Sequence, residues 1–160
     1  MKKLEEAIQL RNEGNYAEAN ALFVQLVEQN PNDAQANYHC AWGFDVMGLE
    51  AAAVPYYETA IQLGLEDVDA QGAFLGLGST YRTLGEYEKS KRVFEEGIER
   101  FPDHLGLKTF YAMTLYNLHE HQKAMEILLT CLARTSTDPS IATYKKAIEF
   151  YSGQLDKVWK

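Results

Sequence analysis

Helix-breaking residues recur along this chain at a nearly constant interval. Gly14, Gly48 and Gly85 each interrupt an apolar pattern of helical period and precede another, at separations of 34 and 37 residues. Glycine tolerates the left-handed conformation that ends a helix. The same slot falls on His119, 34 residues after Gly85, and histidine is among the residues that accept positive φ. Pro31, Pro102 and Pro139 mark the other boundary by stopping the helical runs before them. Two helix-sized runs per period of this length constrain the chain strongly. Each unit is a helix pair too small to bury its own apolar side, so neighbours must stack.

The predicted units follow from that spacing. The first, about 1–33, pairs a helix over 2–13 (Leu4, Ala7, Ile8, Leu10) with one over 16–29 that buries Ala19, Phe23 and Leu26. Their spacings of four and three make one helical stripe. The second, about 34–70, has helices over 34–47 and 50–63, with Cys40, Ala41 and Phe44, then Ala53, Tyr57 and Ala60, in contact slots. Pro55 lies inside its second helix and removes one backbone hydrogen bond there. No proline follows this unit, and the three extra residues before Gly85 predict a longer loop or an early start to the next helix. The third unit runs over about 71–104. The fourth, about 105–138, has helices over 105–118 and 120–134, with Tyr111, Ala112, Leu115, Ala124, Leu128 and Cys131 inward. A last helix over 139–152, with Ala147 and Phe150 in register, is expected to cap the array with Lys145, Lys146 and Glu149 toward water.

The third unit carries the most specific signature. Phe74 is followed by Leu77-Gly78, Tyr81, Gly85, Ser90, Phe94 and Pro102. This resembles the aromatic-x2-Leu-Gly-x2-Tyr…small-x3-Phe…Pro pattern of the 34-residue tetratricopeptide repeat (TPR). The resemblance extends over nearly the whole chain. Departures are Asn37 and Lys108 at the aromatic slot, Ser90 at the small slot, and the proline missing near Leu65. It implies an all-α solenoid, a right-handed superhelix of four repeats plus a capping helix in one domain over 1–160. It also implies that the first helix of each pair lines a concave face.

Those first helices carry apolar residues beside the core stripe and few charges. The candidates for a peptide-binding surface are Tyr38, Trp42, Asp45, Leu75, Arg82, Met113, Tyr116, Asn117, Tyr144 and Tyr151. Aromatic anchors supply contact area, and Arg82, Asp45 and Asn117 would fix orientation. Gly72 and Gly106 would let a ligand backbone come close. The second helix of the third unit, by contrast, is dense in Glu, Lys and Arg, as an outward face should be. Chaperone-binding members of the family clamp a terminal carboxylate with lysines, asparagines and arginine. The matching positions here are Leu4, Ile8, His39, Gly72 and Gly76, so that ligand class is not expected.

Composition excludes other readings. A net charge of −8 over 160 residues with no basic stripe argues against nucleic acid and anionic membranes. No secretory or membrane-spanning segment is visible, so a cytoplasmic location is expected. Cys40 and Cys131 lack Cys-x-x-Cys context and read as buried thiols. His119 and His121 flank a turn without further ligands, so no metal or cofactor is expected. No phosphate loop, nucleophile elbow or paired carboxylates occur. The chain is expected to be a non-catalytic scaffold for a protein or peptide partner. The alternatives are a homodimeric structural module, small-molecule binding in the groove, and a groove covered by the chain's own tail.

Overall fold

The computed structural model describes residues 2–160. Among them all regular structure is helical: α1 (Lys2–Asn12), α2 (Tyr16–Gln29), α3 (Ala34–Val46), α4 (Glu50–Leu63), α5 (Asp67–Thr83), α6 (Tyr87–Arg100), α7 (Leu105–Asn117), α8 (His121–Thr135), α9 (Pro139–Ala142) and α10 (Lys145–Ser152). The first eight form pairs, α1–α2, α3–α4, α5–α6 and α7–α8, and each pair packs on the next. The three-residue insertion is an early start: α5 is 17 residues long, against 13 for α3 and α7.

One turn geometry is used four times. Gly14, Gly48, Gly85 and His119 take φ of 87°, 71°, 77° and 61°. The following N–H then reaches back five residues: Asn15 to Leu10 O, Leu49 to Phe44 O, Glu86 to Tyr81 O and Glu120 to Leu115 O, at 2.9–3.0 Å. This is the Schellman closure, which satisfies helix carbonyls that would otherwise be orphaned. His119 shows that the conformation, not glycine itself, is what the repeat demands. Helix starts are capped where the loops differ. Asp33 Oδ1 accepts from Ala36 N at 3.0 Å, and His104 Nδ1 accepts from Leu107 N at 3.0 Å.

Between the pairs the core is aromatic rings set against small residues. The Phe94 ring lies over Gly78, where a Cβ would sit 2.6 Å from Cζ. Ser90 Oγ donates to Gly78 O at 2.7 Å and meets Thr114 Oγ1 at 2.8 Å, tying α6 to α5 and α7. Burial pushes the Cys40 thiol up to about 12, as expected of an inert core thiol. First helices of successive pairs touch (α1–α3, α3–α5, α5–α7), whereas second helices make no comparable contact with one another. The array therefore curves with its first helices inside. The charged residues of α6 are mostly exposed on the outside, with Lys91 half-buried.

The last helix departs from expectation. The predicted 139–152 helix is broken at Thr143–Tyr144 into α9 and α10. Ala147 and Phe150, expected in core slots, are exposed. Among the described residues no further helix covers them; α10 packs on α8, with Ser152 as its one buried residue. Lys145, Lys146 and Glu149 are exposed, as expected of a cap. Phe150, Tyr151 and Trp159 form an exposed aromatic cluster, the tail's Trp159 ring lying 5.8 Å from that of Phe150.

Candidate functional site

The repeat register locates an opening at one end of the array. Phe23, Tyr57, Phe94 and Leu128 occupy the same place in α2, α4, α6 and α8. The first three are 0%, 2% and 0% exposed, because the first helix of the next pair seals them. Leu128 is 37% exposed. α10 packs on α8 but makes no comparable contact with α7, and it leaves Leu128 uncovered. The result is a groove of about 680 Å³ lined by Ala112, Met113, Tyr116 and Asn117 of α7, His121, Ala124, Met125 and Leu128 of α8, and Arg82 of α5.

Its chemistry is an apolar floor with a small polar rim. Tyr116 is 64% exposed and its ring lies 5.0 Å from that of His121. Met113 and Met125 expose flexible thioethers on either side. Arg82 Nη1 donates to Asn117 Oδ1 at 3.4 Å, while its Nε is buried without a partner. Burying a guanidinium nitrogen unpaired is costly.

Of the ten residues predicted to bind peptide, the structure brings four together here: Arg82, Met113, Tyr116 and Asn117. The others lie elsewhere. Tyr38 is buried in the core of the second repeat, its hydroxyl against Gly72. Gly72 and Gly106 thus accommodate the protein's own side chains, Tyr38 for one, His104 and Leu75 for the other. Asp45 accepts hydrogen bonds from Tyr57 and Thr80 across α3, α4 and α5. Burial holds its carboxyl above the usual range, and those two bonds pull it back. Trp42 is partly exposed, but Arg11 stacks on it with Cζ 3.5 Å from the ring centroid. Leu75 is half-buried against Gly106, and Tyr144 and Tyr151 lie on the terminal segment. His121, Met125 and Leu128 were missed. Carrying the core register of α6 onto α8 leads to Leu128, whereas His121 and Met125 emerge only from the tertiary arrangement.

Near the other end, Arg11, His39 and Trp42 form a closed cluster. Arg11 Nη1 donates to His39 Nδ1 at 3.1 Å, so the imidazole is neutral with its proton on Nε2. Burial, and then the adjacent guanidinium, lower the His39 pKa to about 4. Among the described residues no three His, Cys, Asp or Glu side chains converge as a metal site would require. No helix among them is long and apolar enough to cross a membrane.

The tetratrico peptide repeat model matches residues 34–155, about three quarters of the sequence. The chain belongs to the tetratricopeptide repeat family. Among solved structures, MamA from Desulfovibrio magneticus RS-1 superposes with a TM-score of 0.74 at 20% identity, covering 85% of this chain and 76% of that one. A thermophilic TPR protein of Thermus thermophilus gives 0.65 at 24% identity, covering 97% and 84%. Both likenesses are of fold. Superkiller protein 3 of Saccharomyces cerevisiae is 24% identical over 133 residues, 79% of this chain. The matched stretch is 9% of that relative's length. This TPR fold is that of protein–protein interaction scaffolds and is typically non-catalytic.

Proposed function

We propose that this TPR protein is a non-catalytic scaffold that takes a peptide segment of a partner protein into the groove between α7 and α8. Met113, Tyr116, Met125 and Leu128 form the apolar floor, and Arg82 and Asn117 receive a polar or acidic group at the rim. The exposure of Leu128, at a position sealed three times over in the same chain, carries this reading. Large apolar side chains left open in a concave, mostly apolar groove are the usual signature of a binding surface. Peptides selected from a displayed random library on the full chain should lose binding to the Met113→Ala/Tyr116→Ala variant. Each truncated anchor should cost about 1–2 kcal/mol. Selected peptides that bind wild type and variant equally would refute the site.

A second reading, self-association, is favoured by the exposed Phe150, Tyr151 and Trp159 cluster at the same end of the array. Sedimentation across a wide concentration range separates the two. A strictly monomeric chain removes self-association and leaves the peptide groove untouched.

A further inference from the structure

The aromatic slot of the repeat is filled differently in successive units. In the third, Phe74 is 2% exposed, its Cβ facing Gly97 of α6 and its ring edge-on to that of Phe101. In the second, Asn37 is 2% exposed, its amide donating to Pro31 O at 2.9 Å and to Asp33 O at 2.8 Å. In the fourth the slot falls on Lys108, 34 residues after Phe74. A lysine stem cannot close the space that a ring closes, and its ammonium resists burial unpaired. A cavity of about 340 Å³ opens there between α6 and α8, with α7 as its floor. It shares no lining residue with the α7–α8 groove.

The lining combines an apolar wall with uncommitted positive charge. Ile98, Leu105 and Ile127 supply the wall, and Cys131 stands where Gly97 backs Phe74 one repeat earlier. Lys108, Lys123 and Arg134 share the lining with one carboxylate, Glu126, in a chain whose net charge is −8. None of the three cations enters an ion pair among the described residues. Lys123 donates to Tyr111 Oη at 3.3 Å, and that hydroxyl donates to Glu95 at 2.8 Å, so both groups are engaged. Arg134 has lost the partner its position implies. Its counterpart Arg100 donates to Asp67 Oδ1 at 3.0 Å, but the position 34 residues after Asp67 is Phe101. Lys108 and Arg134 are thus left without a carboxylate partner.

We propose that this cavity is a second ligand site, on the outer side of the array, for a small aryl carboxylate. The aryl ring takes the place that the Phe74 side chain holds one repeat earlier, against Ile98, Ile127 and Cys131. The carboxylate pairs with Lys108 and Arg134, supplying from outside the acid that this repeat does not carry. A wholly apolar ligand would leave both cations unpaired, and an inorganic anion would leave the apolar wall wet. A concave, mostly apolar pocket with a few charged groups suits a small amphipathic anion.

Calorimetric titration of the full chain with 3-phenylpropionate tests it. Saturable binding is expected, with the neutral 3-phenylpropan-1-ol weaker by about tenfold or more, the ratio that one charge-assisted hydrogen bond supplies. Lys108→Phe puts the ring of the third repeat into the cavity. It should abolish binding of both probes while keeping or raising the urea midpoint. Arg134→Met alters an exposed residue and should bring the acid down toward the alcohol's affinity without moving the alcohol. In amide NMR spectra the shifts induced by the acid should centre on Lys108, Ile127 and Cys131. No saturable binding, equal affinity of acid and alcohol, unchanged binding of the acid in either variant, or shifts centred on Met113 and Tyr116 overturns the proposal. Library peptides that depend on Tyr116 can survive any of these results, so the two sites fall separately.

Discussion

Acidification should weaken the first two repeats through a single imidazole. His39 is 8% exposed, packs its ring 5.7 Å from that of Phe23, and accepts a hydrogen bond from Arg11. Protonating Nδ1 would abolish that bond and set two cations 3.1 Å apart in a poorly hydrated place. The folded pKa of about 4 lies below the ordinary 6.5. The unfolded chain therefore binds this proton more readily, and stability falls as pH drops below about 6.5, levelling off near 4. Linkage gives a loss of about 2 kcal/mol between pH 7 and pH 5, and about 3 kcal/mol once pH is below 4. For a chain this size 2 kcal/mol corresponds to roughly 4–8 °C in Tm. Urea denaturation of wild type and His39→Gln at pH 7 and pH 5 isolates the effect, since carboxylates titrate alike in both. The amide keeps an acceptor for Arg11 but cannot charge. Wild type should lose about 2 kcal/mol more than the variant over that interval. Equal losses would show that His39 is not held neutral by its surroundings.

Other outcomes follow from the same packing. Gly76→Ala places a Cβ 2.5 Å from Cζ and Oη of the buried Tyr57 ring; overpacking of about 1–3 kcal/mol should exceed the helix-propensity gain of about 1, read as a lower urea midpoint. Ser90→Ala removes the hydroxyl joining Gly78 O and Thr114 and should cost about 1–3 kcal/mol by the same assay. Tyr116→Ala changes an exposed residue and should move stability by less than about 0.5 kcal/mol while reducing peptide binding. Cys40, with its thiol raised to about 12 by burial, should resist iodoacetamide in the native state and react only as the chain unfolds.

The architecture was legible before any coordinates because it rests on local rules repeated four times. A residue tolerant of positive φ every 34–37 positions dictates the Schellman turns, and His119 obeys that rule without being glycine. Helical spacing placed Phe23 and Tyr57 in the core, and the resemblance to the repeat signature placed Phe94 there. The inner-face candidates were less legible. Sequence spacing puts Tyr38, Asp45 and Tyr116 on comparable helix faces, yet Tyr38 is buried, Asp45 is held by Tyr57 and Thr80, and Tyr116 stands open.

The sequence by itself determined the period, the turns, the helix pairs and which rings enter the core, since each depends on residues within one repeat. Tertiary structure alone decided where the array is left unsealed. Whether a side chain such as Leu128 is core or surface depends on a helix that must arrive from elsewhere. Helical periodicity records which face is apolar, and it is silent on whether that face has a neighbour.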